Sequence, residues 1–548
     1  MSETSKKRSQ EFLKVADQFK LGVLVTESQH PVTVELSQTA KKSTSDALRL
    51  LFEVDKDVIN KYREWSATDT ARRVSNTLRD AIKAGGRVFF TGCGSTGRLS
   101  IQLASIWRDF WQKQRAKGLK DTEKWEDRAF SVMAGGDFAL IKAVEGFEDF
   151  TQFGGKQIGD LGVTKGDVVF AITEGGETSF VIGTAWKGLE SGAKVYFVYN
   201  NPDDILCEHV QRSREVIQEP RIEKINLTTG PMGITGSTRM QATTSELAVM
   251  LTILEMTLRD LMAEFYPDES ANASPLRSDD VPAEFLAKLE EMHATLCSKW
   301  LCDDLAKLVE MEESVYRVNH RNNYFANNIG VDVLTDTTER SPTFCTPPFR
   351  KFDDTAAAES WAFLYLPYEK TEDAWNWILK KKPSCVEWTE DEVRELVGPE
   401  KLAATYEVVK KISCKELMRF KIGKDGLGDR PLGKGDSGVA ILIESELDAL
   451  KSPDGFFRQQ LESAKANGAS TGLIFNKETG REVRYSTVSL DLKTVEKTNI
   501  SKTAFLKWLK KAKERIDKWR DFSISKPGPK TKEQKAAQAA RDEEFEYE

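Results

Sequence analysis

Histidine is scarce in this chain of 548 residues: four occur, at 30, 209, 293 and 320, and no two share the i, i+4 spacing that would put paired ring nitrogens on one helix face. A histidine metal centre, or a Ser-His or Cys-His catalytic pair, has little to draw on. Cysteine is sparse too. Seven are scattered at 93, 207, 297, 302, 345, 385 and 414 with no C-x-x-C pair, which argues against a disulfide framework or a zinc cluster and predicts reduced thiols. No stretch of about 20 apolar residues is present. The start "MSETSKKRSQEFLK" lacks the apolar core of a signal peptide, so the expected location is cytoplasmic, with no membrane partner. A net charge of −7 argues against nucleic acid as a partner.

The length exceeds what one hydrophobic core normally serves, and two domains of about 200 residues are expected. Residues 1–47 read as an N-terminal extension. From Leu48 to about Lys83 apolar residues recur at helical intervals, stopped by Gly85-Gly86. The short apolar runs "RVFFT", "FSVMA", "DVVFAI", "KVYFVYN" and "EKINL" follow, separated by helical patterns. Strands apolar along their whole length, alternating with helices, predict a doubly wound parallel α/β sheet over residues 48–265. The polar, Pro-containing stretch 266–282 reads as a linker. A second α/β domain is expected over 283–500, with strands at "SVYRV", "GVDVLTD", "SCVEW", "GVAILIE" and "TGLIF" and no comparable glycine turn. Residues 501–523 carry an apolar stripe through Phe505, Leu509, Ala512, Ile516 and Trp519, the pattern of an amphipathic helix. The charged tail 524–548 has little to bury, and disorder is expected there.

Several predicted strand ends carry glycine and hydroxyl residues. "TGCGSTGRLS" contains Gly92, Gly94 and Gly97 in the G-x-G-x-x-G pattern, with Ser95 and Thr96 in the turn. A dinucleotide site needs an acidic residue about 20 positions on, at the end of the second strand. Here "QRAKGLKDTEKWE" fills that place and the next strand begins only afterwards, so no nicotinamide cofactor is expected, and no metal. What remains is either a tight strand–helix connection or a small-anion cradle of backbone N–H groups and hydroxyls. A second loop, "TEGGETS", supplies Thr173, Gly175, Gly176, Thr178 and Ser179 together with Glu174 and Glu177. Two such loops on neighbouring strands converge on one phosphate. "MAGGDFALIKAVEGFED" ends in Glu145, Glu148 and Asp149, and "TTGPMGITGSTRM" places Thr238 and Arg239 at a helix start.

Taken in order, "LGVLVTESQHPVT", "GCGSTGR", "AGGDFAL…EGFED" and "GSTRM" resemble the sugar-isomerase (SIS) domain proteins that comprise N-acetylmuramic acid 6-phosphate etherases and the glucokinase regulatory protein. The resemblance covers about residues 20–260; the second half resembles the regulatory protein's second SIS domain in length and rhythm alone. It implies two tandem flavodoxin-like SIS domains with a C-terminal helical extension. It also implies a phosphosugar, a hexose 6-phosphate or an amino-sugar phosphate, held among Gly94, Ser95, Thr96, Thr173, Gly175, Glu177, Thr178, Thr238 and Arg239, with Glu148 near the ring. Etherases carry an acid in "D-A-S-E" beyond the glycine turn; this chain has "LASI", with Leu103 and Ile106 in place of both carboxylates. Gln241 stands where many relatives have lysine. The resemblance thus favours a regulatory sensor whose protein partner is a sugar kinase, with an etherase-like lyase or a sugar-phosphate isomerase using Glu148 as the alternative.

Overall fold

The computed structural model describes residues 21–144, 146–267, 277–479 and 482–484, with a few isolated positions ahead of residue 21. The predicted amphipathic helix at 501–523 and the tail at 524–548 lie outside them. Residues 1–490 form one compact unit.

All five strands expected in the first half form, as β1 (Val88–Gly92), β2 (Ala129–Met133), β3 (Val168–Ile172), β4 (Lys194–Tyr199) and β5 (Ile222–Asn226). They pair in parallel in the order β2-β1-β3-β4-β5, the doubly wound arrangement whose ligand crevice lies where the chain order reverses, between β1 and β3. Every residue of β1 and β3 is buried, so each strand can be apolar end to end. The helix Thr70–Lys83 buries Ala71, Val74, Leu78 and Ile82, one stripe at spacings of three and four, against this layer. The long helices Gly94–Ala116 and Gln241–Phe265 add Leu99, Leu103, Trp107, Trp111, Val249, Ile253 and Leu254 to the same core. Inside the predicted linker, which spans 266–282, Val281 is fully buried in that core too.

The second half is also α/β, but its strands are not all where the sequence pattern put them. β6 (Asn322–Phe325), β7 (Ala362–Tyr365), β8 (Ser437–Ile443), β9 (Ser470–Thr479) and β10 (Glu482–Arg484) form the order β10-β9-β8-β6-β7, parallel except for β10 on β9. "GVAILIE" and "TGLIF" are β8 and β9. "SVYRV" instead closes the helix Lys299–Arg317, where Val315 falls on the buried stripe with Leu301, Cys302 and Ala306. "GVDVLTD" opens the helix Gly330–Phe344, and "SCVEW" makes a single bridge between Cys385 and Gly136.

The two sheets repeat one another in detail. Arg87 precedes β1, and its backbone N–H donates to Asp167 Oδ1 at 2.8 Å. Arg321 precedes β6, and its N–H donates to Asp436 Oδ1 at 3.2 Å. Asp167 Oδ2 accepts from Thr164 N, and Asp436 Oδ2 accepts from Gly433 N, each at 2.8 Å. The second half is a structural copy of the first with shorter, more polar first strands.

Helices Thr151–Asp160 and Ser179–Glu190, which flank the candidate loops, meet through glycines: a Cβ on Gly154 would stand 1.9 Å from Phe180 O, and one on Gly183 1.9 Å from Thr151 O. Backbone cannot step aside as a flexible side chain can. Gly183→Ala is therefore expected to destabilise the fold by about 3 kcal/mol, at the upper end of ordinary overpacking. A thermal melt within a degree of the parent would contradict that packing.

Candidate phosphosugar site

The chain leaves β1 at Gly92 and enters the Gly94–Ala116 helix through Gly94 at φ +52°. Thr96 spends its hydroxyl on this turn: Oγ1 accepts from Cys93 N at 3.1 Å and donates to Cys93 O at 2.9 Å. Ser95 is buried, with no hydrogen bond to another described residue. After β3, Thr173 Oγ1 donates to Thr178 Oγ1 at 3.0 Å, closing the "TEGGETS" loop on itself. Asn201 Nδ2 holds Gly175 O at 2.9 Å, Ser213 Oγ donates to Gly176 O at 2.7 Å, and Arg212 Nε donates to Glu177 O. The loop is thus rigid before any ligand arrives. Thr96 and Thr178 set the shape of the two turns.

The leading segment docks on the same edge. Asn201 Oδ1 accepts from Val25 N at 2.9 Å and Thr26 N at 3.3 Å, and Gly236 N donates to Thr26 O at 3.3 Å. Motifs that are 200 residues apart in the sequence therefore share one crevice. Glu148 also comes here: the Cys93 thiol donates to Glu148 Oε2 at 2.9 Å. Gln241, in the place of the expected lysine, is buried and structural, accepting from Gly233 N at 2.8 Å and donating to Pro231 O at 2.9 Å.

Carboxyl groups crowd this edge, and burial decides their state. Glu174 is pushed up to about 8, first by desolvation and then by the carboxylates of Glu339 and Glu177, while Thr243 Oγ1 donates to its Oε1 at 3.2 Å. Glu246, fully buried beneath it, is held well above the ordinary carboxylate range by desolvation and by Glu174; Asn200 Nδ2 donates to its Oε1 at 2.7 Å. Burial raises Glu177 and Glu27 as well. Burial thus favours the neutral, hydrogen-bond-donating form of both Glu174 and Glu246. The repulsion that Glu174 would direct at a phosphate dianion is absent while it keeps its proton.

The cations of the site are engaged by the second half. Arg98 of "GSTGR" is fully buried; it pairs with Glu339, and its Nε donates to Thr338 Oγ1 at 3.2 Å. Arg239 Nε donates to Asp336 Oδ1 at 3.1 Å. Gln102 Nε2 donates to Asp332 Oδ1 at 2.7 Å. All four partners lie on the Gly330–Phe344 helix, so the second half forms one wall of the site. Asp137, after β2, takes Lys381 at 2.5 Å and Ser384 N at 2.6 Å from the same half.

Ile106 is on the Gly94–Ala116 helix more than three turns beyond Gly94, roughly 18 Å along at 1.5 Å per residue, and 40% exposed. Its neighbours meet the second half: Ser105 Oγ donates to Ile378 O at 3.4 Å, and Lys380 reaches Asp109 at 3.0 Å. A cleft of about 720 Å³ opens beside them, lined by Gln112, Tyr368, Trp377 and Lys380 among others. The hydrocarbon that replaces the expected acid therefore stands away from Glu148.

At the copied crevice of the second half, the turn after β6 is already filled. Glu446 Oε1 accepts from Asn328 N at 3.1 Å and from Asn328 Nδ2 at 2.9 Å, while its Oε2 accepts from Ile443 N at 2.9 Å. Asn328 occupies the place of Gly94, and Glu446 that of Glu177. In the first half Glu177 makes no such bond; its Oε2 is buried without a hydrogen-bond partner among the described residues.

Known proteins resemble this chain over its first half. The glucokinase regulatory protein N-terminal SIS domain family matches residues 69–186. N-acetylmuramic acid 6-phosphate etherases of Yersinia pestis (strain Pestoides F) and Yersinia pseudotuberculosis (serotype O:1b, strain IP 31758) are each 30% identical over 230 residues, 42% of this chain and 69% of theirs. Among solved structures, the C-terminal domain of glucosamine-fructose-6-phosphate aminotransferase from Francisella tularensis aligns at TM-score 0.36 and 12% identity, covering 79% of this chain and 84% of that one. Tagatose-6-phosphate ketose/aldose isomerase from Escherichia coli aligns at TM-score 0.34 and 10% identity, covering 78% of each. Among the described residues no helix is long and apolar enough to cross a membrane. By sequence identity and by the extent of the match, the chain belongs to the SIS-domain family of the N-acetylmuramic acid 6-phosphate etherases and the glucokinase regulatory protein.

Proposed function

We propose that the first half binds one phosphorylated sugar, a hexose 6-phosphate or an amino-sugar phosphate, and that the chain is a sensor of the glucokinase-regulatory type acting on a protein partner such as a sugar kinase. The observation that carries this reading is the difference between the two crevices: the turn at Gly94 has open space around it, while the copied turn at Asn328 holds Glu446. Backbone N–H groups of Gly94 and Ser95, the Ser95 hydroxyl and the Thr173–Gly175–Thr178 loop would receive the phosphate, with Glu148, Thr238 and Arg239 around the sugar. Binding in this form needs neither metal nor nicotinamide.

Calorimetric titration with hexose 6-phosphates and amino-sugar phosphates is expected to give one ligand per chain, and the same ligand should raise the melting temperature by stabilising the folded state alone. Two equivalents, or none across the panel, would refute the single-site reading. The second reading, an etherase-like lyase or an isomerase, draws on the Glu148 carboxylate beside the Cys93 thiol. Incubation with N-acetylmuramic acid 6-phosphate separates the two: catalytic release of lactate, abolished in Glu148→Gln, would establish the lyase, and no release is expected of the sensor.

A further inference from the structure

Glu53 ends the helix Thr44–Glu53; His293 lies in the last turn of Val281–Leu296, and Cys297 caps that helix. His293 and Cys297 stand at i, i+4, a spacing that puts both on one face. Their ligand atoms are 3.5 Å apart, and one carboxylate oxygen of Glu53 completes a group lying within 4.8 Å of one another. A tetrahedral zinc ion with bonds of about 2.3 Å to sulfur and 2.0–2.1 Å to nitrogen holds that pair about 3.5 Å apart, so the thiol and the imidazole already have the separation that a shared ion imposes.

The surroundings favour a divalent cation. Glu53 and, outside the group itself, Asp55 place negative charge around the thiol. Thiolate, imidazole and carboxylate are the mixed ligand set that a borderline ion accepts.

We propose that Glu53, His293 and Cys297 form a three-ligand site for a zinc-class divalent cation, separate from the phosphosugar crevice, with the fourth position open to water. Bound there, the ion ties the N-terminal helical layer to the segment that leads into the second half.

The test uses the full chain, stripped with chelator and titrated with Co²⁺. The expected result is one equivalent bound with a near-ultraviolet thiolate-to-cobalt absorption, bleached when Zn²⁺ is added. Cys297→Ser should lose the absorption, and His293→Gln should weaken binding by more than about 100-fold, beyond the range for an outer-shell partner. Metal-free melting of both variants should match the parent, which separates ligand loss from misfolding. No absorption in the parent, absorption that survives in Cys297→Ser, or unchanged affinity in His293→Gln would each overturn the proposal.

Discussion

Arg98→Ala is expected to lower the stability of the first half by about 3–5 kcal/mol, the range found when one partner of a buried ion pair is removed. Arg98 is fully buried and Glu339 nearly so, and the variant would strand the Glu339 carboxylate between the halves. It would also remove the donor to Thr338, whose Oγ1 lies 2.7 Å from Leu140 O, so the wall loses its hold on the loop after β2. The melting transition should fall by about 10 °C. Because a buried pair is often replaceable by apolar groups of similar volume, the double variant Arg98→Met/Glu339→Leu should recover most of the loss. A double variant as unstable as Arg98→Ala would mean that guanidinium shape, and not its pairing with Glu339, holds this joint.

The second large effect is on pH. With Glu174 held at about 8 in the folded chain and near 4.5 unfolded, the folded state carries the extra proton between those values. Its contribution is present in full below about 4.5 and declines, at about 1.4 kcal/mol per pH unit, until pH passes about 8. Ligand binding should follow the same group. A phosphate monoester is already a dianion above pH 7, so deprotonation of Glu174 adds a repelling charge next to it. The Kd for a hexose 6-phosphate is expected to rise several-fold between pH 7 and 9, towards a limit of about tenfold, about 1.4 kcal/mol. Glu174→Gln, which keeps the shape and stays neutral, should flatten both profiles. A Kd independent of pH in the parent would show that Glu174 does not face the ligand.

How far the sequence could be read depended on what each strand touches. β1 and β3 are covered on both faces, so "RVFF" and "DVVFAI" are apolar throughout and stand out against any neighbour. β6 reads "NNYF": Asn322 and Asn323 are buried because Ser437 and Arg430 bind their amides, and a polar strand of four residues leaves no periodic trace. "GVDVLTD" misled because Val331 and Val333 alternate like a strand, while the buried face of the helix, begun by Val333 and Leu334, is continued by the polar Thr337 and Thr338. The glycine and hydroxyl loops and the odd pair Glu174 and Glu177 were legible from spacing, and Glu148 from the family resemblance alone. Glu246 was hidden inside a helix rich in core residues, and Asp336 and Glu339 lie about 240 residues from Arg98 with no local signal of their role. Cys93 was visible as a letter within the turn, but only the fold brings its thiol to Glu148. His293 and Cys297 carried a readable i, i+4 spacing, overlooked because histidines were paired only with one another and cysteines only through C-x-x-C.

The Glu446 carboxylate, seated on the Asn328 amide, bears on how the molecule reports sugar to its surroundings. A receptor duplicated in tandem would ordinarily gain two seats and, through their shared wall, the chance to answer steeply. Under the proposed function, with one seat taken by the chain itself, a lone chain would fill along a simple hyperbola, with a Hill coefficient of about one.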